Sequence, residues 1–404
     1  MNIGRWFREQ IRNIYKSIAF IPFLVILFFL VLSASMIFLD YSETGKHLKG
    51  TIEWIRLKDP STARTLVSVI AGGLISLTVF SFSMVMVVLN QAASQLTNRV
   101  LGNLIGSRLQ QFILGYYIGT IIYSLLLLSS IRENETGIFV PALSTYLLML
   151  LSVIAIFLFV FFLHFITQSI KYVVIINRIY KQTITTLKRL CQLEIEPTNV
   201  SPFIGKILYA EKNGVFETYD QSLLLKILSN HNYKLSFKIT PGDFVLSGQP
   251  IADVQVNERE LSTELCEKIH TQISLVDEPS IDNNYYTGFR QLSEIAVKAL
   301  SPGINDPGTA AESLRSLTVL LSYRIQHFPE NTIRDEDGVV RILTQEKCFD
   351  EIFEESVLPI WDYGKHDRNI RKELSDLLIK LQRIGDSPAI RKLLAKIQSH
   401  EHRI

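Results

Sequence analysis

This sequence has few cysteines, no large excess of positive or negative charge, and no known catalytic motif. Each of these absences argues against a class of function. The chain of 404 residues has three cysteines, Cys191, Cys266 and Cys348, and none lies at the spacing of a metal site or a redox motif. A disulfide framework and a metal site are therefore not expected. The formal net charge is only +2, without the basic excess that is typical of a nucleic-acid-binding protein. We expect no nucleic-acid partner.

Signatures of known enzyme classes are also missing from the sequence. There is no P-loop, no GxGxxG, no HExxH and no nucleophile elbow. We therefore predict no cofactor and no catalytic residues.

Apolar residues are abundant, but they are concentrated in the first part of the chain. They make up 48% of the sequence, and before residue 171 they form four runs of about 20 residues, the length that crosses the hydrocarbon core as a helix. No such run follows. We predict a membrane α-helical domain of four transmembrane helices, followed by a cytoplasmic α+β domain. The predicted helices cover residues 19–39, 65–89, 112–130 and 140–166.

Basic residues flank these helices unevenly and predict their orientation. They dominate the amino-terminal segment, the second connection and the segment after the fourth helix, so the positive-inside rule places both termini in the cytoplasm. The residues concerned are Arg5, Arg8, Arg12, Lys16, Arg99, Arg108, Lys171, Arg178 and Lys181.

The second predicted helix carries a stripe of small and polar residues along its whole length. At 100° per residue the stripe falls within an arc of about 80°. It has two interpretations: a seam where helices pack closely, or the wall of a hydrated pore in an oligomer. The stripe, which we call the polar seam, consists of Thr65, Ser68, Gly72, Ser76, Ser83, Asn90 and Ser94.

The third predicted helix contains Gly115 and Gly119 at GxxxG spacing, which favours close helix packing. None of the four predicted spans contains Asp, Glu, Lys or Arg. That absence argues against a proton relay or a voltage sensor built from buried charges.

The remainder of the chain divides into three predicted parts. Residues 171–204 form a connecting helix and linker, residues 205–255 a small β module, and residues 256–404 a mainly helical domain. The segment 241–252 resembles the second half of a biotinyl/lipoyl-type barrel-sandwich hybrid. Lys226 lies in a predicted short helix and lacks the flanking residues of a cofactor acceptor, so we expect that fold without the cofactor.

A helix start at Asp306 and Pro307 is the most distinctive local signal of this part. Asp at the N-cap with Pro at the first helical position is the ordinary way to begin a helix. The competing interpretation is that exposed N–H groups at this helix start hold an anionic ligand. The candidate ligand-binding residues are Arg290, Gln291, Asn305, Asp306 and Thr309.

Several motifs together resemble one bacterial family of predicted membrane proteins, filed as domain of unknown function 2254. They are the segments 80–83 and 89–95, residues 114–120, residues 241–245, residues 290–292 and, most specifically, residues 299–307, Ala-Leu-Ser-Pro-Gly-Ile-Asn-Asp-Pro. The resemblance covers nearly the whole chain. It implies a multi-pass protein of the bacterial inner membrane, and it implies no activity.

Two functions are compatible with these patterns. The first is an oligomeric channel or passive transport protein, in which the second helix lines the path and the cytoplasmic domain gates it. The second is a membrane-anchored sensor or scaffold whose soluble domain binds a metabolite or a protein. An enzyme comes third, because only Arg290, Asn305 and Asp306 offer a converging polar set. The expected partners are the lipid bilayer, further copies of the chain, and a small ligand or ion.

Overall fold

A computed structural model describes residues 19–51, 59–95, 108–131, 140–169, 171–197, 200–256 and 262–401. The described residues divide into two compact units. We call the part up to Lys171 the membrane unit and the part from Tyr172 onward the carboxyl-terminal unit.

The described residues of the membrane unit contain four helices that are long and apolar enough to cross a membrane, which confirms the predicted number. A further short helix lies in the first connection and was not predicted. The helices are α1 Phe20–Tyr41, α2 Glu43–Thr51, α3 Pro60–Gln95, α4 Arg108–Ser130 and α5 Ala142–Ser169.

Helix α3 begins five residues before the predicted start at Thr65. The carboxylate of Asp59 accepts hydrogen bonds from the backbone N–H groups of Ser61, at 3.2 Å, and Thr62, at 3.3 Å. Pro60 occupies the first helical position, where its missing N–H costs nothing. The local capping signal, rather than the start of the apolar run, therefore sets this end of the helix.

Helix α4 is the centre of the membrane unit. Half of its spanning window is buried, against 17% to 22% for the other three helices. Helix α1 packs along it, α5 also contacts it, and α3 approaches these three helices less closely. The shared core includes Phe29, Ile113, Tyr123, Leu127 and Leu148.

The carboxyl-terminal unit combines helices with short strands. Helix α6, the predicted connecting helix, begins at Tyr172 and gives way to a strand at Cys191. The first elements are α6 Tyr172–Leu190, β1 Cys191–Leu193, β2 Lys206–Tyr209, β3 Gly214–Tyr219, α7 Gln221–Asn230, β4 Lys234–Phe237, β5 Phe244–Val245 and β6 Pro250–Gln255. The others are α8 Thr263–His270, β7 Ile273–Val276, α9 Tyr286–Ala299, α10 Pro307–Arg324, β8 Phe328–Pro329, β9 Thr332–Arg334, β10 Val340–Leu343, α11 Phe349–Gly364, α12 Arg368–Ile384 and α13 Pro388–Glu401.

The strands form three sheets. The largest has the order β2-β6-β4-β10-β9, in which β4 and β10 are parallel and the other neighbours antiparallel. A second sheet has the order β5-β3-β7, and β1 pairs with β8. Strands from residues 205–255 thus pair with β7 and β10, which lie later in the chain. The sheets share a core that includes Phe216, Leu235, Phe237, Val245 and Ile251.

Helices α6, α9, α10, α11, α12 and α13 form the helical part of this unit, with α9 in contact with α6, α10 and α11. Gly288 of α9 lies directly against the Thr183 side chain of α6, and a Cβ at residue 288 would overlap it. Glycine at this position is therefore what allows α6 and α9 to pack so closely. At the start of α9, the side chain of Tyr286 lies close to Gly242, which is between β4 and β5.

Candidate functional site

The polar seam of α3 points away from the other helices of the membrane unit. Helix α3 packs inward through Ala63, Val67, Ala71, Leu74 and Ser81, which are all buried. The centre of this buried face lies about 160° around the helix from the centre of the seam. Every seam residue whose side chain is described is exposed, namely Thr65, Ser68, Gly72, Ser76, Ser83 and Asn90. The side chain of Ser94 lies outside the described residues.

The outward faces of the neighbouring helices have a different character. Helix α1 exposes large apolar side chains such as Phe23, Phe28 and Phe38, and α5 exposes Phe157 and Val160. Such surfaces match the acyl chains of lipid. On α3 the small and polar seam lies between exposed apolar side chains, with Val69 and Val87 on one side and Ile75 and Phe82 on the other. The three helices therefore present two kinds of surface, and among the described residues only that of α3 contains a row of exposed small and polar residues, which Val79 and Met86 interrupt.

The hydroxyls of the seam are bonded within their own helix. Thr65 Oγ1 donates to the Ser61 carbonyl at 2.8 Å, and Ser76 Oγ donates to the Gly72 carbonyl at 3.0 Å. Each such oxygen retains lone pairs that can accept from water or coordinate a cation. A Cβ at Gly72 or Gly73 would meet no other atom within 4 Å. The seam is therefore both accessible and able to contact a polar species.

Gly115 and Gly119 lie where α4 meets α1. A Cβ at Gly115 would be 2.8 Å from the backbone Cα of Pro22, and one at Gly119 would be 2.6 Å from the ring of Phe29. These approaches are closer than any side chain permits. The GxxxG spacing thus serves contact between two helices of the same chain.

Asp40 is a charged residue that the predicted helix bounds place in the first connection, outside the helices. It lies in the last turn of α1 and is fully buried. Its carboxylate accepts hydrogen bonds from the backbone N–H groups of Leu143, at 3.1 Å, and Ser144, at 2.7 Å, at the start of α5. The expectation that the spans lack carboxylates is therefore wrong for α1, and the residue acts as a cap supplied by another helix.

The candidate ligand-binding residues around Asp306 do not converge on one cavity. Asp306 accepts from the Thr309 N–H at 3.1 Å and from Thr309 Oγ1 at 2.6 Å, which is the geometry of a helix cap. Arg290 is exposed and pairs with Glu294 at 3.2 Å. It lines a cavity that includes none of residues 305–309. Asn305 is exposed with a left-handed φ of 49°, and Gln291 is buried in α9.

A buried polar network in the carboxyl-terminal unit was not found from the sequence. The Tyr285 hydroxyl donates to the Tyr286 hydroxyl at 2.8 Å, which in turn donates to Glu346 Oε2 at 2.8 Å. The guanidinium of Arg324, which is 3% exposed, donates to the carbonyls of His327, at 3.2 Å, and Lys347, at 2.9 Å. These groups come from α9, α10 and the segment after β10, so no local sequence signal could have joined them.

The network changes the acidity of its members. Burial raises the pKa of Glu346 to about 7, although the Tyr286 hydroxyl and the charge of Arg324 act in the opposite direction. Burial, together with the neighbouring Tyr285 and Glu346, raises the pKa of Tyr286 well above its ordinary value. Glu346 therefore titrates near neutrality, while the tyrosine stays protonated and donates its hydrogen bond.

Two cavities meet at Glu346. One has a volume of about 290 Å³ and the other about 620 Å³, and their walls share Pro329, Thr344 and Glu346. The smaller is in the lower range of small-molecule pockets. Within the described residues, no group of His, Cys, Asp and Glu is arranged to hold a metal ion.

Comparison with known proteins gives a family and no activity. Residues 15–380 match the family described as predicted membrane protein, DUF2254. Uncharacterized proteins of Mycobacterium bovis and Mycobacterium tuberculosis are each 22% identical to this chain over 330 residues, which cover 79% of this chain and 63% of the relative. The chain thus spans less than two thirds of the length of these curated relatives.

No solved structure matches this chain. The apolar helices, the match over residues 15–380 and the Ala-Leu-Ser-Pro-Gly-Ile-Asn-Asp-Pro segment agree with one another. This chain belongs to the DUF2254 family of predicted membrane proteins.

Proposed function

We propose that the protein is an oligomeric channel or passive transport protein of the bacterial inner membrane, whose path is lined by the polar seam of α3. The observation that carries the proposal is the direction of the seam, which points away from the core formed by α1, α4 and α5. A strip of hydroxyls and glycines is a poor match for lipid, and apposing copies of α3 around an axis would remove it from lipid.

The surroundings of the seam support the same arrangement. Apolar residues on both sides of it, such as Val69 and Ile75, are exposed within one chain and are suited to contact neighbouring copies. The seam hydroxyls would then face the axis, where their oxygens offset part of the hydration that a passing ion loses. The weaker packing of α3 against α4 and α5 leaves this helix free to shift when the path opens.

Both termini lie in the cytoplasm in this proposal, in agreement with the basic flanking residues. The carboxyl-terminal unit then acts as a cytoplasmic gate. Residues 205–255 belong to this unit. Their resemblance to a barrel-sandwich hybrid without its cofactor stays a prediction. Lys226, the residue that a cofactor would need, is exposed on α7.

Accessibility of the seam to a water-soluble reagent tests the pore directly. Ser68→Cys, Ser76→Cys and Ser83→Cys should react with a charged methanethiosulfonate in membranes, and the reaction should reduce ion flux. Ser35→Cys on the exposed face of α1 is the matched control, and it should not react because it faces lipid. The native cysteines Cys191, Cys266 and Cys348 are replaced by serine in all variants. Equal reactivity at residues 35 and 76 would contradict the pore.

A membrane-anchored sensor or scaffold is the second candidate function. The cavities that meet at Glu346 favour it, because they offer a small molecule a concave site within the carboxyl-terminal unit. In that case the protein would bind a ligand, and its copies would conduct no ions under any ionic condition.

A further inference from the structure

The smaller cavity at Glu346 has an acidic wall. Glu217, Glu330 and Glu346 line it, against one basic residue, Arg189. Among the ion pairs of the described residues none involves these three carboxylates. Arg189 itself donates to the Asp282 carbonyl. The wall of the cavity therefore has more acidic than basic side chains, even with the charge of Arg324 near Glu346, and it favours a cation.

The carboxylates are distributed around the cavity rather than gathered at one point. Glu217 lies on β3, Glu330 between β8 and β9, and Glu346 after β10. No set of three acidic, His or Cys side chains in the described part of the chain is close enough to hold a metal ion. The arrangement therefore suits an organic cation that is larger than a metal ion. An ammonium group is a cation that carboxylate oxygens bind through hydrogen bonds.

Aromatic rings form another part of the wall. Tyr219, Tyr285 and Tyr286 line the cavity. Burial, and after it the negative charges of Glu346 and Glu330, raise the pKa of Tyr219, which places both carboxylates near this ring. The apolar faces of such rings pack against the C–H faces of a ring-shaped ligand, and they also attract a cation.

A buried hydrogen-bond donor without a partner indicates which other groups the ligand must carry. The side chain of Asn284 lines the cavity and is 2% exposed. Its Oδ1 accepts from the Tyr286 N–H at 3.0 Å, but its Nδ2 has no hydrogen-bond partner among the described residues. A buried N–H group calls for an acceptor oxygen. Thr218, Gln192 and Gln221 add further polar groups to the same wall, so the ligand needs hydroxyls as well as an amine.

We propose that this cavity binds a protonated amino sugar, with its ammonium group on the carboxylates of Glu217 and Glu346, its hydroxyls toward Asn284, and its ring against the tyrosines. The volume of about 290 Å³ accommodates one hexosamine. The site lies entirely within the carboxyl-terminal unit. It stands independently of the pore, and it supplies the signal that a gate or a sensor requires.

Calorimetric titration of the full chain in detergent tests the site with three probes. Glucosamine has both features, glucose has the hydroxyls without the amine, and putrescine has the amines without the hydroxyls. We expect saturable binding of glucosamine at one site per chain, and at least tenfold weaker binding of glucose and of putrescine. Absence of glucosamine binding would overturn the proposal, and so would equal affinity for glucosamine and either of the other probes.

Conservative variants distinguish binding of glucosamine in this cavity from binding elsewhere on the protein surface. Glu217→Gln keeps the oxygen that accepts from the Ser280 N–H, at 2.7 Å, and removes only the charge. Glu330→Gln changes an exposed residue that the fold does not require. Each should weaken glucosamine binding at least fivefold, whereas Glu278→Gln, an exposed acidic residue outside the cavity, should not change it. Equal affinity in all four proteins, each checked by its melting temperature, would contradict the assigned cavity.

Discussion

The carboxylate of Asp40, at the end of one membrane helix, accepts a hydrogen bond of 2.7 Å from the backbone N–H of Ser144, at the start of another. The Ser144 hydroxyl also donates to this carboxylate, at 2.5 Å. Helix α5 thus takes its N-terminal cap from α1, more than a hundred residues earlier in the chain. A negative charge at a helix N-terminus is favourable, and both groups are buried, so the contact ties two helices together.

Removal of this cap should destabilise the membrane unit. Asp40→Ala leaves two buried N–H groups without this acceptor, and the expected loss is about 1–3 kcal/mol. Asp40→Asn keeps one acceptor oxygen and should lose less. The melting temperature of the protein in detergent measures both effects, and an unchanged value for Asp40→Ala would contradict the role of the cap.

Gly115 and Gly72 form a matched pair for testing which faces pack within one chain. Gly115→Ala places a Cβ 2.8 Å from the backbone of Pro22, which cannot move aside, so it should destabilise the protein by roughly 1–3 kcal/mol. Gly72→Ala meets nothing within 4 Å and should leave the stability of the protomer unchanged or slightly higher. Equal losses of melting temperature in dissociated protomers would show that α3 packs inward through its seam.

The half-buried side chain of Glu346 predicts a pH dependence of stability. Burial raises its pKa from 4.5 to about 7, so in this window the folded chain holds a proton that the unfolded chain releases. Stability should therefore fall as the pH rises from 4.5 to 7, by about 3 kcal/mol in total, and should stay at the lower level above that.

The variant Glu346→Gln removes this titration. Its melting temperature should change less between pH 4.5 and 7, and it should exceed that of the parent protein at pH 8. Glu278→Gln, at an exposed position, is the control and should follow the parent. A parent protein whose stability rises through the same window would contradict the assignment.

The native cysteines report the side of the membrane on which the carboxyl-terminal unit lies. Cys348 is exposed and Cys191 is buried, and both belong to that unit. A membrane-impermeant maleimide should leave Cys348 unmodified in intact cells and should modify it in inverted vesicles. Cys348→Ser should abolish most of the labelling. Modification in intact cells would place the unit outside the cytoplasm.

Sequence periodicity predicted the membrane helices because hydropathy and length are local properties. The four spans agree with the structure within a few residues, apart from the earlier start of α3 at the Asp59 cap and the inclusion of Asp40 in α1. The spacing also identified the polar seam. Its direction could not be predicted, because that depends on which face of α3 meets the other helices.

The carboxyl-terminal unit shows the same division between local and distant contacts. The helix start at Asp306 and Pro307 was predicted, since a cap involves residues three positions apart. The network of Tyr286 and Glu346 joins residues 60 positions apart, and it depends on the parallel pairing of β4 with β10.

Ion flux and oligomer mass, measured on the same purified preparation, test the pore most directly. We predict that the protein is an oligomer that conducts in liposomes, and that Ser76→Leu suppresses flux at least tenfold while the oligomer stays intact, because an apolar ring at that level dewets the path. Ser35→Leu, the same change on the exposed face of α1, should leave flux unchanged. An intact wild-type oligomer without flux under any ionic or tension condition would contradict the channel.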